Sequence, residues 1–130
     1  MASNVYTYAK ELILSTSINL LTDTIRVSIG RVSAYTFSAS HQFKSEVATT
    51  QDATTALTSK TVTSGVFTAT NSFFTTVPAG TNLNFICIWK DTGSANTSPV
   101  IAYLDGFTTT PNNNDITCVW PTTGSKIFKI

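Results

Sequence analysis

Charge is scarce in this chain. Only 12% of its 130 residues are charged, and the formal net charge is +1. That share is about half of what an ordinary soluble protein carries. No run of Lys or Arg occurs, whereas nucleic-acid binding needs clustered cations to neutralise phosphates. The sequence therefore argues against a nucleic-acid partner.

Metal ligands and long apolar runs are also lacking. The chain has one histidine, His41, and two cysteines, Cys87 and Cys118, too few for an ordinary four-ligand zinc site. Four polar residues interrupt the apolar stretch at 12–21, and no basic segment precedes it. We therefore expect neither a signal peptide nor a membrane span, and no cofactor or bound metal.

Hydroxyl residues take the place of ions, with 25 Thr and 14 Ser. Thr is β-branched and favours strands, while Ser, Asn and Gly favour turns. This composition predicts an all-β fold, a sandwich or barrel-like domain, with a short N-terminal helix or arm. The length suits one domain, which we place at residues 23–130, after an N-terminal helix or arm at residues 1–22.

The N-terminal segment shows the best helical spacing, with Val5, Ala9, Leu12 and Ile13 on one side. We expect a helix over residues 5–14, capped by Ser3 or Asn4, whose apolar face lies on the sheet. The alternative is an arm that docks on a neighbouring subunit. A second, shorter helical stretch is expected at 40–47, capped by Ser40.

Alternating apolar residues and turn signals predict a series of strands. The connection at 48–60 is poor in large apolar residues and is expected to be exposed, with at most a short strand near its end. Strands are expected at 24–29, 60–63, 66–69, 73–77, 83–89, 100–104, 115–120 and 126–130. The run at 83–89 is apolar on both faces, which places it in the middle of the core. The predicted core comprises Phe85, Cys87, Trp89, Ile101, Tyr103, Ile116, Cys118 and Trp120.

Several small motifs have a chemical and a structural interpretation. Asp91-Thr92-Gly93 matches the triplet of aspartic proteases, but Asp-x-Gly is also a common hairpin loop, and we favour the loop. The sequence lacks the Gly-x-Ser-x-Gly motif that carries the nucleophilic serine of many hydrolases, so we favour a structural role for His41. The oxygens at 112–115, with Asp105, lack the spacing of a calcium loop, and we expect a polar turn. For Cys87 and Cys118 we expect reduced thiols. No catalytic, cofactor-binding or metal-binding residue is therefore assigned.

Segments spread over most of the chain resemble a known family. They include Trp89-Lys90-Asp91-Thr92-Gly93 and Ile101-Ala102-Tyr103-Leu104-Asp105, together with residues 8–11, 23–27, 34–43, 57–67 and 126–130. In the same order, these segments resemble small structural proteins encoded in the head-gene region of tailed bacteriophages. The resemblance and the size together imply a capsid decoration (cement) protein.

The function expected on this basis is non-enzymatic. The protein would be made in the host cytoplasm and bridge major capsid proteins on the outer capsid surface of the virion, as a homotrimer, with residues 1–14 as the first candidate contact. One alternative is a tail-tube or neck protein. The other is a carbohydrate- or receptor-binding module that uses Trp89, Tyr103 or Phe107. We expect no membrane partner.

Overall fold

Ten β-strands and one short α-helix form the described part of the computed structural model, which comprises residues 2–47, 54–121 and 127–129. The helix α1 is Thr7–Leu14, and a single 3₁₀ turn covers Lys44–Glu46. The strands are β1 Ala2–Val5, β2 Ile25–Gly30, β3 Thr54–Ala56, β4 Thr61–Thr63, β5 Val66–Thr68, β6 Ser72–Phe74, β7 Phe85–Lys90, β8 Val100–Asp105, β9 Ile116–Cys118 and β10 Phe128–Lys129.

All strand pairs are antiparallel and belong to three sheets. The largest has the order β1-β8-β7-β2-β3, the second β10-β5-β4, and the third is the ribbon β6-β9. The all-β prediction with a short helix is confirmed. The central position of the most apolar run is confirmed too, because β7 lies in the middle of the five-stranded sheet and is buried on both faces from Phe85 to Ile88.

The N-terminal helix begins later than predicted. Ser3 and Asn4 do not cap it, because they pair with Leu104 and Tyr103 in β1–β8. The residue before the helix is Tyr6, which is extended and makes no side-chain capping bond. Pairing with β8 gives backbone N–H and C=O groups of residues 2–5 hydrogen-bond partners. This pairing competes with extension of the helix toward the N-terminus. The first segment of the predicted arm is therefore an edge strand of the main sheet.

The expected helical stretch at 40–47 shrinks to the 3₁₀ turn, and Ser40 is not its cap. The turn follows Phe43, and the Glu46 carboxylate accepts hydrogen bonds from the backbone N–H groups of Gln42 (2.7 Å) and Phe43 (2.9 Å). A carboxylate three residues into the turn replaces the predicted hydroxyl cap, since it reaches two orphan N–H groups at once.

The three sheets share one hydrophobic cluster, which includes Phe85 of the large sheet, Phe67 and Phe128 of the second sheet, and Phe74 of the ribbon. Five of the eight predicted core residues are buried: Phe85, Cys87, Ile101, Tyr103 and Trp120. The other three, Trp89, Ile116 and Cys118, are only partly buried. Trp89 follows a register irregularity after Ile88, and the other two lie in the two-stranded ribbon.

The remaining strand predictions are close in position. β2 and β8 lie within one residue of their predicted bounds, whereas the strands predicted at 60–63, 66–69, 73–77 and 115–120 are too long. The strand expected at 73–77 is β6, which covers only Ser72–Phe74, and the strand at 115–120 is the three-residue β9. β3 is the short strand expected near the end of the 48–60 connection. Parts of that connection and of the terminal strand, at 48–53, 126 and 130, lie outside the described residues. No helix in the described chain is long and apolar enough to cross a membrane.

Candidate functional site

The Asp91 carboxylate is held as an ion inside a loop. Its Oδ2 accepts a hydrogen bond from Arg26 Nε at 2.6 Å, and its Oδ1 accepts one from the Gly93 N–H at 2.8 Å. The Gly93 N–H and the Arg26 guanidinium lower the pKa of Asp91. Gly93 has a φ of +96°, a conformation that glycine adopts without strain. Both oxygens are engaged in shaping the loop, as the loop interpretation predicts, and neither is placed to share a proton with a second carboxylate.

Hydroxyl groups fix the rest of this loop. Ser98 Oγ donates to the Ser94 carbonyl at 2.7 Å and accepts from the Thr92 N–H at 3.0 Å. Thr92 Oγ1 and Thr97 Oγ1 lie 2.6 Å apart. The loop between β7 and β8 thus becomes ordered largely through neutral hydrogen bonds, with one ion pair at its start.

His41 belongs to a chain of hydrogen bonds that enters the core. Its Nδ1 lies 2.8 Å from the Tyr35 hydroxyl, and that hydroxyl lies 2.9 Å from the Tyr6 hydroxyl. Burial raises the pKa of Tyr6 far above its usual range, and burial also raises that of Tyr35. Among the described residues no serine hydroxyl bonds the imidazole, so the structure shows no Ser–His pair at this position. The structural interpretation of His41 agrees with this geometry.

Both cysteines are free thiols, as expected. Cys87 is fully buried in β7, and burial raises its pKa to about 12. Cys118 is partly buried in the β6–β9 ribbon, and burial raises its pKa to about 12 as well. The thiolate is the reactive form, so neither group is suited to nucleophilic chemistry near neutral pH.

The oxygen-rich segment at 112–115 bonds the neighbouring backbone. Asp115 Oδ1 accepts from the Thr76 N–H at 2.7 Å, and Asn113 Oδ1 accepts from the Ala79 N–H at 3.1 Å. These bonds hold the 76–79 segment beside the loop, which is the polar turn predicted. Over residues 2–47, 54–121 and 127–129, no group of three or more His, Cys, Asp or Glu side chains is placed to hold a metal ion.

The aromatic residues that a carbohydrate-binding module would use do not form an open platform. Tyr103 is 4% exposed and stacks on Phe85 at 5.2 Å. Trp89 is partly buried, donates from Nε1 to Ser28 Oγ at 3.0 Å, and has Lys44 Nζ 5.7 Å from its ring. Phe107 is partly buried against the core. These contacts favour a packing role for all three.

Apart from Leu14, which is 82% exposed at the end of α1, the most exposed large apolar side chains of the described residues lie on and next to the β6–β9 ribbon. Phe73 is 60% exposed and Val119 is 63% exposed. Phe73 pairs with Thr117, and Val119 directly follows the end of β9. Exposure continues to alternate there, because Thr117 and Val119 are exposed and Cys118 and Trp120 are not. Phe73, Thr117 and Val119 therefore form one outward face, which we call the ribbon face.

An apolar cleft of about 260 Å³ opens between the ribbon and the large sheet. It is lined by Ile29 and Ile86 of the sheet, by Phe107, and by ribbon residues that include Ile116 and Val119. The cleft and the ribbon face meet at Val119, so the exposed apolar surface is continuous. Phe73 was predicted to lie in a strand but not to form a binding surface. The available signal was the pair Phe73-Phe74, because strand alternation turns two adjacent side chains to opposite faces, and both faces are buried only in a strand that is covered on both sides.

Comparison with known proteins gave no similarity: no protein-family model, curated protein or solved structure matches this chain.

Proposed function

We propose that the protein is a non-enzymatic capsid decoration (cement) protein of a tailed bacteriophage. It would bridge major capsid proteins on the outer surface of the head, as a homotrimer. The resemblance of its segments to phage head-region proteins suggests this role. The contacts of Asp91, His41 and the two thiols are consistent with it. Asp91 and His41 are hydrogen-bonded within the fold, and both thiols have pKa values so high that they stay protonated near neutral pH.

The observation that carries the proposal is the ribbon face on a charge-poor molecule. A shell-binding protein needs an apolar contact surface that can be buried, and Phe73 and Val119 supply one beside the cleft. The surrounding polar surface is rich in hydroxyls, which can bond a neighbour without the desolvation cost of burying ions. We take the ribbon face as the first candidate capsid contact. In the N-terminal segment, Tyr6 and Ala9 are buried within this chain, while Leu14 at the end of α1 is 82% exposed and remains a second candidate.

The first prediction concerns capsid occupancy. Phe73→Lys and Val119→Lys should each weaken binding to the cognate capsid by about 10- to 100-fold, because fully burying such a side chain contributes roughly 1.5–3 kcal/mol. Occupancy is measured by titrating the protein onto undecorated particles. Val32→Lys is the matched control, since Val32 is 45% exposed and lies outside the ribbon face.

Three results would count against the proposal. If Val32→Lys weakened capsid binding as much as Phe73→Lys and Val119→Lys, the ribbon face would not be the capsid contact. A cryo-EM map with the protein in six-fold rings along the tail would favour the tail-tube alternative. Undecorated particles that withstand heating as well as decorated ones would contradict a cementing role.

A further inference from the structure

Strand β4 is an unprotected sheet edge. It ends the order β10-β5-β4, and all three of its residues, Thr61, Val62 and Thr63, are exposed. No described strand pairs with its outer side. Proteins commonly guard such edges with Lys, Pro or a bulge. β4 contains no charge and no proline, and the sequence from 61 to 89 carries no charged residue at all.

An apolar row runs across the sheet and stops at this edge. Phe128 pairs with Phe67, and Phe67 pairs with Val62, so the three side chains lie side by side on one face. Phe67 and Phe128 are each 1% exposed, and their ring centroids are 5.1 Å apart. Val62, the last member of the row, is 46% exposed. One more strand beside β4 would cover it.

The hairpin turn determines which backbone groups of β4 face outward. Ser64 and Gly65 both have positive φ, at 54° and 78°, as in a two-residue type I′ turn. In such a hairpin the residues that flank the turn, Thr63 and Val66, exchange hydrogen bonds, and the next pair, Val62 and Phe67, does not. The N–H and C=O of Val62 therefore point away from β5, toward the open edge.

We propose that β4 pairs with β4 of a second copy of this chain, antiparallel, across a two-fold axis through Val62. Thr61-Val62-Thr63 reads the same in both directions, so antiparallel pairing sets Val62 against Val62 and each Thr61 against Thr63 of the other copy. The two outward-pointing Val62 peptide groups then exchange two hydrogen bonds. The apolar row becomes continuous through both copies, from Phe128 to Phe128. The absence of charge means that no like charges oppose one another.

This contact is small. Three residues a side bury far less than the roughly 1,200 Å² of a typical stable complex, so we expect weak association in free solution. Copies held close together on one surface would meet at a much higher effective concentration. Only this last step rests on the proposed function. A two-fold contact at β4 would link neighbouring trimers. It would not use the separate surface through which the three copies of each trimer contact one another.

The experiment traps the weak pair covalently. Val62→Cys is made in a Cys118→Ser background and oxidised gently at high chain concentration. Hydrogen-bonded antiparallel partners have Cα atoms about 5.5 Å apart, which a disulfide can bridge. We expect a disulfide-linked dimer that forms about tenfold or more faster than with Val32→Cys, because pairing brings the two thiols together. Val32 and Val62 are almost equally exposed, at 45% and 46%. Equal rates for the two variants would overturn the proposal.

A charge exchange tests the register. To the Val62→Cys chain we add Thr61→Lys with Thr63→Lys, or Thr61→Glu with Thr63→Glu. Each chain alone should cross-link slowly through repulsion, and a mixture of the two should cross-link rapidly as mixed dimers. Equal rates in all three samples would contradict the register and the pairing.

The outcomes separate this proposal from the cement role. Rapid cross-linking of a protein that does not bind capsids would leave the β4 pairing intact and remove the cement role. Absence of cross-linking, combined with capsid occupancy lost in Val62→Lys, would assign the β4 edge to a strand of another protein. That result would overturn self-pairing while the cement role stands.

Discussion

At the scale of single residues, hydroxyl groups satisfy several of the buried polar atoms of this charge-poor chain. Trp89 Nε1 donates to Ser28 Oγ, and Ser28 Oγ also lies 2.8 Å from Thr54 Oγ1. Tyr35 bonds Tyr6 on one side and His41 on the other. Such neutral networks avoid the large desolvation penalty of buried ions. In each network the central residue, Ser28 or Tyr35, bonds both of its neighbours, so its loss would leave both without that partner.

Tyr35→Phe tests that dependence. It removes the partner of the buried Tyr6 hydroxyl, and leaving such a group unpaired costs about 1–3 kcal/mol in the free energy of unfolding. The measurement is urea denaturation followed by tryptophan fluorescence. Tyr8→Phe is the control, because its ring contacts Phe43 edge-on and its hydroxyl bonds no described residue. Equal losses in both variants would contradict the role assigned to the hydrogen-bond chain.

At the scale of elements, the same residue type has opposite roles on different strands. Phe85 of β7 is 0% exposed and lies between Tyr35 and Tyr103, with ring centroids 5.5 and 5.2 Å away. Phe73 of β6 is 60% exposed on the ribbon face. The strand to which a phenylalanine belongs, and its position in the alternation, decide whether it stabilises the fold.

The pair gives a direct comparison. Phe85→Ala should lower the free energy of unfolding by about 3–5 kcal/mol, because it leaves a cavity in the aromatic cluster. Phe73→Ala should change it by roughly 0.5 kcal/mol or less, as for a surface substitution. Thermal and urea unfolding measure both. If the Phe85→Ala protein were as stable as the parent, the assignment of β7 to the centre of the core would be wrong.

The sequence predicted the elements whose signals are local. Alternation identified β2, continuous apolar runs identified β7 and β8, and Ser64-Gly65 identified the β4–β5 hairpin. β1 was missed because Ala2–Val5 has little apolar pattern and exists as a strand only through pairing with β8, a hundred residues away. The ribbon face was missed for a related reason: alternation shows that Phe73 and Phe74 point oppositely, but only tertiary packing determines which one is buried.

At the scale of the whole molecule, some of the few acids are held as ions by the fold, which makes stability depend on pH. The N–H groups of Phe43 and Gln42 lower the pKa of Glu46, and Gly93 and Arg26 lower that of Asp91. A group whose pKa is lower in the folded state stabilises the fold above its unfolded pKa, near 4, and loses that contribution as pH falls through its folded pKa. Both groups lie near the surface, so each contributes about 1 kcal/mol or less.

We therefore expect the free energy of unfolding to be nearly constant from about pH 8 to pH 5 and to fall below about pH 4. The double variant Glu46→Gln with Asp91→Asn should be less stable at neutral pH and lose less on acidification. Denaturation curves across this range measure both effects. Parallel pH profiles for the parent and the double variant would contradict the assignment.

The pairing of β1 with β8 also dictates the order of events when the chain is made. Ala2–Val5 leaves the ribosome before its partner Val100–Asp105, which is synthesised about a hundred residues later. Contacts between such distant segments are slow to form, because loop-closure entropy opposes them. In contrast, β7 and β8 are near neighbours in sequence and can pair as soon as both have emerged. The large sheet is therefore closed from its centre outward, and β1 is among the last of its strands to be incorporated, although it is translated well before β7 and β8.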